Sequence, residues 1–333
     1  MNKADVVVGL QYGDEGKGKV VNDLAKNGGY THCLRFNGGS NAGHTIYHEG
    51  KKFVTHQVPT GLLHGLKSVI GNGCVVNTQK LLEELSQFPE SVRGNLSIAK
   101  NAHLITKEHV MQEERESKIG TTKQGIGPAY TAKYNREGKL FSENKEKIFK
   151  GVDLFEYLNE DPNASILCEG AQGFGIDIDW GEYPFVTSSV CTTASVIQNG
   201  IPFNKIDKVY GVAKAYETYV GSKKFEDSDD SRLKLVQEVG QEFGATTGRR
   251  RQCNWLNLNF LVKSISVNCC THVIINKYDV LRQLDFWFVY ENNELKDLKD
   301  EKTFKNYVEQ YIYKNVKNSM VRQIIWSDNP NNI

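Results

Sequence analysis

An apolar run, Val6 to Leu10, leads directly into Gly13-Asp-Glu-Gly-Lys-Gly-Lys19, and the segment Lys17 to Asn27 then carries a helical pattern. A glycine-dense turn between a buried strand and a helix lets backbone N–H groups approach a polyphosphate. Glycine tolerates positive φ there, and the helix N-terminus adds favourable partial charge. The spacing Gly13-x4-Gly18-Lys19 meets the first part of the phosphate-loop pattern, but Val20 stands where Ser or Thr would hold Mg²⁺. Either the metal takes another ligand, for which Asp14 offers hard carboxylate oxygen, or the turn is only a tight strand-to-helix connection.

Strand-like and helical runs alternate through the rest of the chain. Thr31 to Phe36, Ser68 to Gly71, Ser165 to Cys168, Lys208 to Ala213 and Thr271 to Asn276 read as strands, while Thr78 to Ser86 and Ser231 to Glu238 read as helices. This predicts an α/β fold with a mainly parallel central sheet flanked by helices, a phosphate-loop-like nucleotide site and elaborated loops. The 333 residues read as a single domain with loop and helix subdomains. The polar stretch 111–144 reads as a helix followed by a long surface loop, a length that usually serves function.

Lys and Arg number 41 against 40 Asp and Glu, so there is no global basic footprint for nucleic acid or a membrane surface. Anionic ligands must be met by local clusters, which suits small phosphorylated molecules. Seven scattered cysteines form no Cys-x-x-Cys pair, and no signal-like or membrane-spanning apolar stretch occurs. A soluble, cytoplasmic protein with reduced thiols is expected. The eight histidines form no zinc-binding pattern.

Five further segments carry candidate chemistry. Asn37-Gly-Gly-Ser-Asn-Ala-Gly-His-Thr45 ends near a histidine able to protonate a leaving oxygen. Gly120-Thr-Thr-Lys-Gln-Gly-Ile-Gly-Pro-Ala-Tyr130 offers hydroxyls and glycine N–H groups for a monophosphate, with Arg136 beyond. Glu169-Gly-Ala-Gln-Gly173 follows a strand, where open α/β sheets bind ligands, and leads to Tyr183-Pro-Phe-Val-Thr-Ser-Ser189. Gly244-Ala-Thr-Thr-Gly-Arg-Arg-Arg251 reads as an anion clamp. Asn276-Lys-Tyr-Asp279 ends a buried strand, and its carboxylate can accept from guanine N1–H and the 2-amino group. Alone, that segment and the phosphate loop also suit a GTP-binding switch, which leaves Asn41-Ala-Gly-His44 and the arginine cluster unexplained.

Taken in order, these segments resemble the adenylosuccinate synthetase family from about residue 5 to 280, and the chain's compactness resembles the short archaeal and phage forms. The resemblance implies a Mg²⁺-dependent ligase that joins L-aspartate to C6 of a 6-oxopurine nucleotide through a 6-phosphoryl intermediate. It implies catalytic roles for Asp14, His44 and Lys17, with Asp14 and Gly43 as metal ligands. Asn41, Thr122, Arg136, Gln172, Thr187, Val220, Gly221 and Arg249 would meet the acceptor nucleotide. Thr246, Thr247, Arg249 and Arg251 would hold aspartate. Gly13, Glu15, Gly16, Lys17, Gly18, Lys19, Gly43, Thr45, Arg251, Lys277 and Asp279 would bind the triphosphate, GTP by preference, with ATP or dATP as alternatives. A homodimer is implied, with Arg136 reaching the neighbouring subunit's site.

Several positions depart from the family pattern. Asn22 replaces Asp, Tyr219 replaces Arg, Lys223 to Asp230 replaces a Gly-Pro-Phe-Pro-Thr-Glu run, Gln252 replaces Arg, and Asn254 and Asn257 replace Gly and Asp. The tail from Trp326 to Asn329 only loosely follows the family. These changes cluster near nucleotide contacts, so the acceptor leans to (d)GMP, as in the phage 2-aminoadenylosuccinate branch, with IMP as the alternative.

Overall fold

The computed structural model describes all residues except 117–119, 145–147, 228, 245–247, 318–319 and 330–332. Its frame is a nine-stranded, all-parallel sheet. In spatial order the strands are Gln323–Ser327, His272–Asn276, Ile206–Lys214, Lys3–Gly9, Ser165–Glu169, His32–Arg35, Lys67–Ile70, Leu96–Ala99 and Lys150–Val152. The expected α/β architecture is the one observed. Lys3–Gly9 sits mid-sheet between Ser165–Glu169 and Ile206–Lys214, and Ala4, Val6, Val7 and Val8 are fully buried. A parallel strand covered on both faces has no solvent side, so its sequence runs apolar without alternation.

The helix Lys17–Asn27 covers one face. Val20, Val21, Leu24 and Ala25 form its apolar stripe and join a core cluster with Val7, Leu167, Val212 and Ile274. Each fully buried Val or Leu of this kind contributes about 1.5–3 kcal/mol. This packing holds the helix N-terminus against the carboxyl edge of the sheet.

Two features differ from the sequence reading. The stretch read as a long surface loop contains a second helix, Ile126–Asn135, beside Lys107–Glu116. Gly125 and Pro128 suggest a loop, but Gly125 takes φ 77° before the helix and Pro128 falls in its first turn, where no N–H is required. Ile126, Ala129 and Tyr130 bury the inner face. The second feature is a four-stranded sheet, Tyr216–Tyr219, Gln252–Asn257, Phe288–Glu291 and Glu294–Asp297, which the sequence reading did not anticipate. Among the described residues no helix is long and apolar enough to cross a membrane.

Because the main strands run one way, the loops after residues 9, 35, 169, 214, 276 and 327 all emerge at one edge. That is where ligands of open α/β sheets bind.

Candidate active site

The turn after the first strand is built from left-handed backbone: Gly13, Asp14 and Gly16 have φ of 91°, 57° and 93°. Gly18 is required by close approach, since a Cβ there would lie 2.7 Å from Cβ of His44. Glu15 folds inward, accepting from the N–H of Gln11 (3.1 Å) and of Gly13 (2.9 Å), and pairing with Lys17 Nζ at 2.5 Å. Gly16 caps the helix without a side-chain hydrogen bond, leaving first-turn N–H groups at the site. Lys19 Nζ donates to Ser327 Oγ (2.7 Å) and the Asn329 carbonyl (2.9 Å), and burial lowers its pKa to about 8 against the pull of Asp279.

His44 begins the hairpin His44–His48/Lys51–Thr55, and its Nδ1 lies 2.6 Å from Glu169 Oε1. Burial, then the Arg35 charge, depress its pKa to about 4. Burial alone would raise Glu169, but Arg35, His44 and the Thr60 N–H outweigh it and hold the carboxyl at about 2. Thr60 donates to Glu169 from both N (2.7 Å) and Oγ1 (3.0 Å), and Arg35 approaches to 3.2 Å. With Nδ1 committed to an ionised carboxylate, Nε2 is the ring nitrogen left for a ligand.

Arg251 bridges two acids. Its Nε donates to Asp14 Oδ2 at 2.8 Å and its Nη1 to Glu242. Glu242 also accepts from Lys214 Nζ (2.9 Å) and Tyr216 OH (2.6 Å); burial would raise its pKa, but Lys214 and Arg251 bring it to about 2.

Asp14, Glu15, Lys17, Lys19, His44, Lys214 and Arg251 line one cavity of about 890 Å³, with Arg35, Glu169 and Glu242 behind its wall. Around it the fold gathers Gly13, Asp14, Glu15, Gly16, Lys17, Gly18, Lys19, Asn41, Gly43, His44, Thr45, Thr122, Gln172, Thr187, Val220, Arg249, Arg251, Lys277 and Asp279. Gly221 and Arg136 are not in its wall; Arg136 is exposed, ending the helix Ile126–Asn135 at φ 66°. Thr246 and Thr247 lie outside the described residues. Within the arginine run the roles split. Arg249 reaches the carbonyls of Gly120 (3.0 Å) and Thr121 (2.8 Å) at the cavity, whereas Arg250 turns to Gln237 (2.9 Å) and Glu226 (3.0 Å).

The lining side chains include Asn41, Gln172 and Asn276, whose buried Oδ1, Nε2 and Oδ1 atoms have no hydrogen-bond partner within the chain. Buried polar atoms are normally satisfied, so three unpaired ones on residues of one cavity wall suit a polar ligand there.

Of the departures from the family pattern, Gln252 and Asn254 bond the backbone of the Lys223 to Asp230 stretch, while Asn22 and Asn257 lie elsewhere. Gln252 accepts from the N–H of Phe225 (2.9 Å) and Glu226 (3.2 Å) and donates to the Lys223 carbonyl (2.7 Å), while Asn254 donates to the Phe225 carbonyl (3.1 Å). Lys223 Nζ pairs with Glu182 at 2.5 Å and sits 5.2, 5.8 and 5.3 Å from the rings of Tyr12, Tyr219 and Phe225. Asn257 caps the helix Leu258–Val267 through its side chain, a role Asn fills as well as Asp. Asn22 bonds His64 Nε2 at 2.9 Å.

Sequence reasoning missed Lys214, Glu242, Arg35 and the bond from Glu169 to His44. Lys214 carried a signal, a lysine at the carboxyl end of a buried strand. Arg35 carried the same signal, and Glu242 carried none, since its buried partners Lys214 and Tyr216 lie at the ends of other strands. Ser327, Asp328 and Asn329 also line the cavity, so the tail is part of it.

The family profile described as adenylosuccinate synthetase matches residues 6–150 and 141–319. Adenylosuccinate synthetases from Wolinella succinogenes and Chlorobium chlorochromatii are each 39% identical over 84% of this chain, covering 79% and 77% of their own lengths. These relatives are bacterial, unlike the short archaeal and phage forms that compactness suggested. Fully ligated adenylosuccinate synthetase from Plasmodium falciparum superposes with a TM-score of 0.83 at 28% identity, covering 99% of this chain and 98% of that one. Cyanophage S-2L succinoaminodeoxyadenylate synthetase, bound to dGMP and dATP, shares the fold with a TM-score of 0.74 at 24% identity, covering 93% and 99%. By profile and by identity the chain belongs to the adenylosuccinate synthetase family of C–N ligases, which sets aside the reading as a GTP-binding switch.

Proposed function

We propose that the chain ligates L-aspartate to C6 of IMP in the cytoplasm, with GTP as phosphate donor. The observation that carries this reading is one cavity holding Asp14, the Glu169-bound His44, Arg251 and Asp279. A neutral lactam oxygen is a weak nucleophile. Asp14 takes the N1 proton, O6 attacks the γ-phosphorus, and the bond to the β,γ-bridging oxygen breaks as His44 protonates that oxygen from Nε2. The amino group of aspartate then adds at C6 and phosphate leaves. The ligand-free imidazole is neutral, and a bound polyphosphate supplies the negative charge that favours its protonated form.

Mg²⁺ suits the donors present. Asp14 offers a carboxylate and Gly43 lies on the same wall, while the described residues hold no cluster of three or more His, Cys, Asp or Glu able to bind a metal. A cation that keeps waters and shares phosphate oxygens fits so sparse a set, and when bound it would neutralise phosphate charge.

The relatives at 39% identity carry the adenylosuccinate synthetase name, which supports IMP. The departures near Tyr219 support it too, because Gln252 and Asn254 bond the backbone of Lys223 to Glu226 and Lys223 pairs with Glu182, all within the chain. The second reading, (d)GMP, is favoured by Tyr219, which lines the cavity where the family has Arg. Steady-state phosphate release with IMP, GMP and dGMP, each with GTP or ATP plus aspartate, separates them. IMP with GTP is expected to be fastest; a (d)GMP preference would move the assignment to the second reading. No aspartate-dependent release with any pair would end both.

Donor choice rests on Asp279. An ionised carboxylate offers acceptors only, matching guanine N1–H and its 2-amino group, whereas adenine presents an acceptor at N1. Asp279→Asn is expected to shift kcat/KM towards ATP; a wild-type enzyme using ATP as well as GTP would show that Ser327 to Asn329 have rebuilt the base pocket. The exposed Arg136 serves the partner's site in a homodimer. Mixing Arg136→Leu with Asp14→Asn should therefore restore activity that neither variant has alone. Absence of complementation after demonstrated subunit exchange would confine Arg136 to its own chain.

A further inference from the structure

Lys214 and Glu242 are deeply buried ionised groups to which the proposed chemistry gives no task. The Glu242 side chain is 0% exposed and that of Lys214 3%. Glu242 takes Lys214 on Oε2 at 2.9 Å and Tyr216 on Oε1 at 2.6 Å, and Lys214 also donates to Thr218 Oγ1 at 2.9 Å. Oε2 of Glu242 also receives Nη1 of Arg251, whose Nε rests on Asp14. The backbone repeats the connection, with the Arg251 N–H donating to the Glu242 carbonyl at 3.0 Å and the Gly244 N–H to the Arg249 carbonyl at 2.8 Å. Glu242 and Arg251 thus stand on opposite stems of the segment that carries the arginine run.

An arginine side chain has several rotatable bonds, and its planar fork recognises a carboxylate only when aimed. Here the aim is set from behind. Glu242 fixes one edge of the guanidinium, and Lys214, Tyr216 and Thr218 fix the Lys214–Glu242 pair on the strand ends behind it.

We propose that Glu242, held by Lys214, is a positioning residue that aims Arg251 at the carboxylate of the amino-acid substrate. The inference rests on the reading above that Arg251 meets L-aspartate. Glu242 touches no reactant and acts through Arg251 alone.

The test is a double-mutant cycle in the full-length protein. Glu242→Gln is expected to raise the aspartate KM by about 10- to 100-fold, the size of a lost charge-assisted hydrogen bond. Binding of succinate, a non-reacting dicarboxylate, should weaken by the same factor in calorimetry, while the Kd of the acceptor nucleotide stays within about twofold. In an Arg251→Lys background, where no fork remains to aim, Glu242→Gln should change the aspartate KM by less than about threefold. Should Glu242→Gln fail to fold because Lys214 is left buried without a counter-charge, Glu242→Gln/Lys214→Met removes both charges and is read in the same way. An unchanged aspartate KM, or additive effects in the cycle, overturns the inference while the enzyme remains an aspartate ligase. Absence of aspartate-dependent phosphate release from the wild type instead overturns the parent reading.

Discussion

Asp14→Asn should abolish ligation, with a loss of at least the roughly 10²–10⁴-fold typical of a removed general base. An amide cannot accept the N1 proton, and it is a poor ligand for a hard cation. The fold should survive. Asn tolerates the left-handed backbone that Asp14 adopts at φ 57°, and Arg251 keeps its bond to Glu242. Phosphate release at saturating substrates, with thermal melting of the same sample, makes the check. A well-folded variant turning over near the wild-type rate would remove Asp14 from the chemistry.

The second large effect is expected at His44. Alanine there should lower kcat by about 10²–10⁴-fold, because the leaving diphosphate loses its proton donor. Glu169 does not become an unpaired buried charge, since Arg35 and Thr60 still hold it. A single-turnover measurement of diphosphate formation isolates this step from the later displacement by aspartate. An unaltered burst would place His44 outside phosphoryl transfer.

The parts of the fold visible in sequence were those whose physics is local. The apolar run at Val6 to Leu10 reads as a strand, and Gly13 to Lys19 reads as a tight turn opening a helix. The helix Ile126–Asn135 was hidden because Gly125 and Pro128 break helices in most settings but are harmless at a first turn. The second sheet was hidden because Gln252–Asn257 joins Tyr216–Tyr219 and Phe288–Glu291 across long separations, and no short window records that pairing. The site shows the same division. Asp14, His44 and Asp279 announce themselves through their neighbours, whereas Glu169 has a role only once its strand ends beside His32–Arg35 and places its carboxylate under an imidazole. The departures at Gln252, Asn254 and Lys223 looked like altered substrate contacts in sequence, yet in three dimensions Gln252 and Asn254 bond the backbone of Lys223 to Glu226.

The edge strand Gln323–Ser327 is paired on one side only, with His272–Asn276, and Lys19 reaches Ser327 across 308 residues of sequence. A chain in which this strand has not docked therefore lacks both the Ser327 anchor of Lys19 and one wall of the cavity. On the proposed reading of the cavity as the donor site, the same tie makes the donor a guard against proteolysis. A ligand at 100 times its Kd stabilises the closed state by about 2.7 kcal/mol, and near this edge that lowers the open, cleavable population by about a hundredfold.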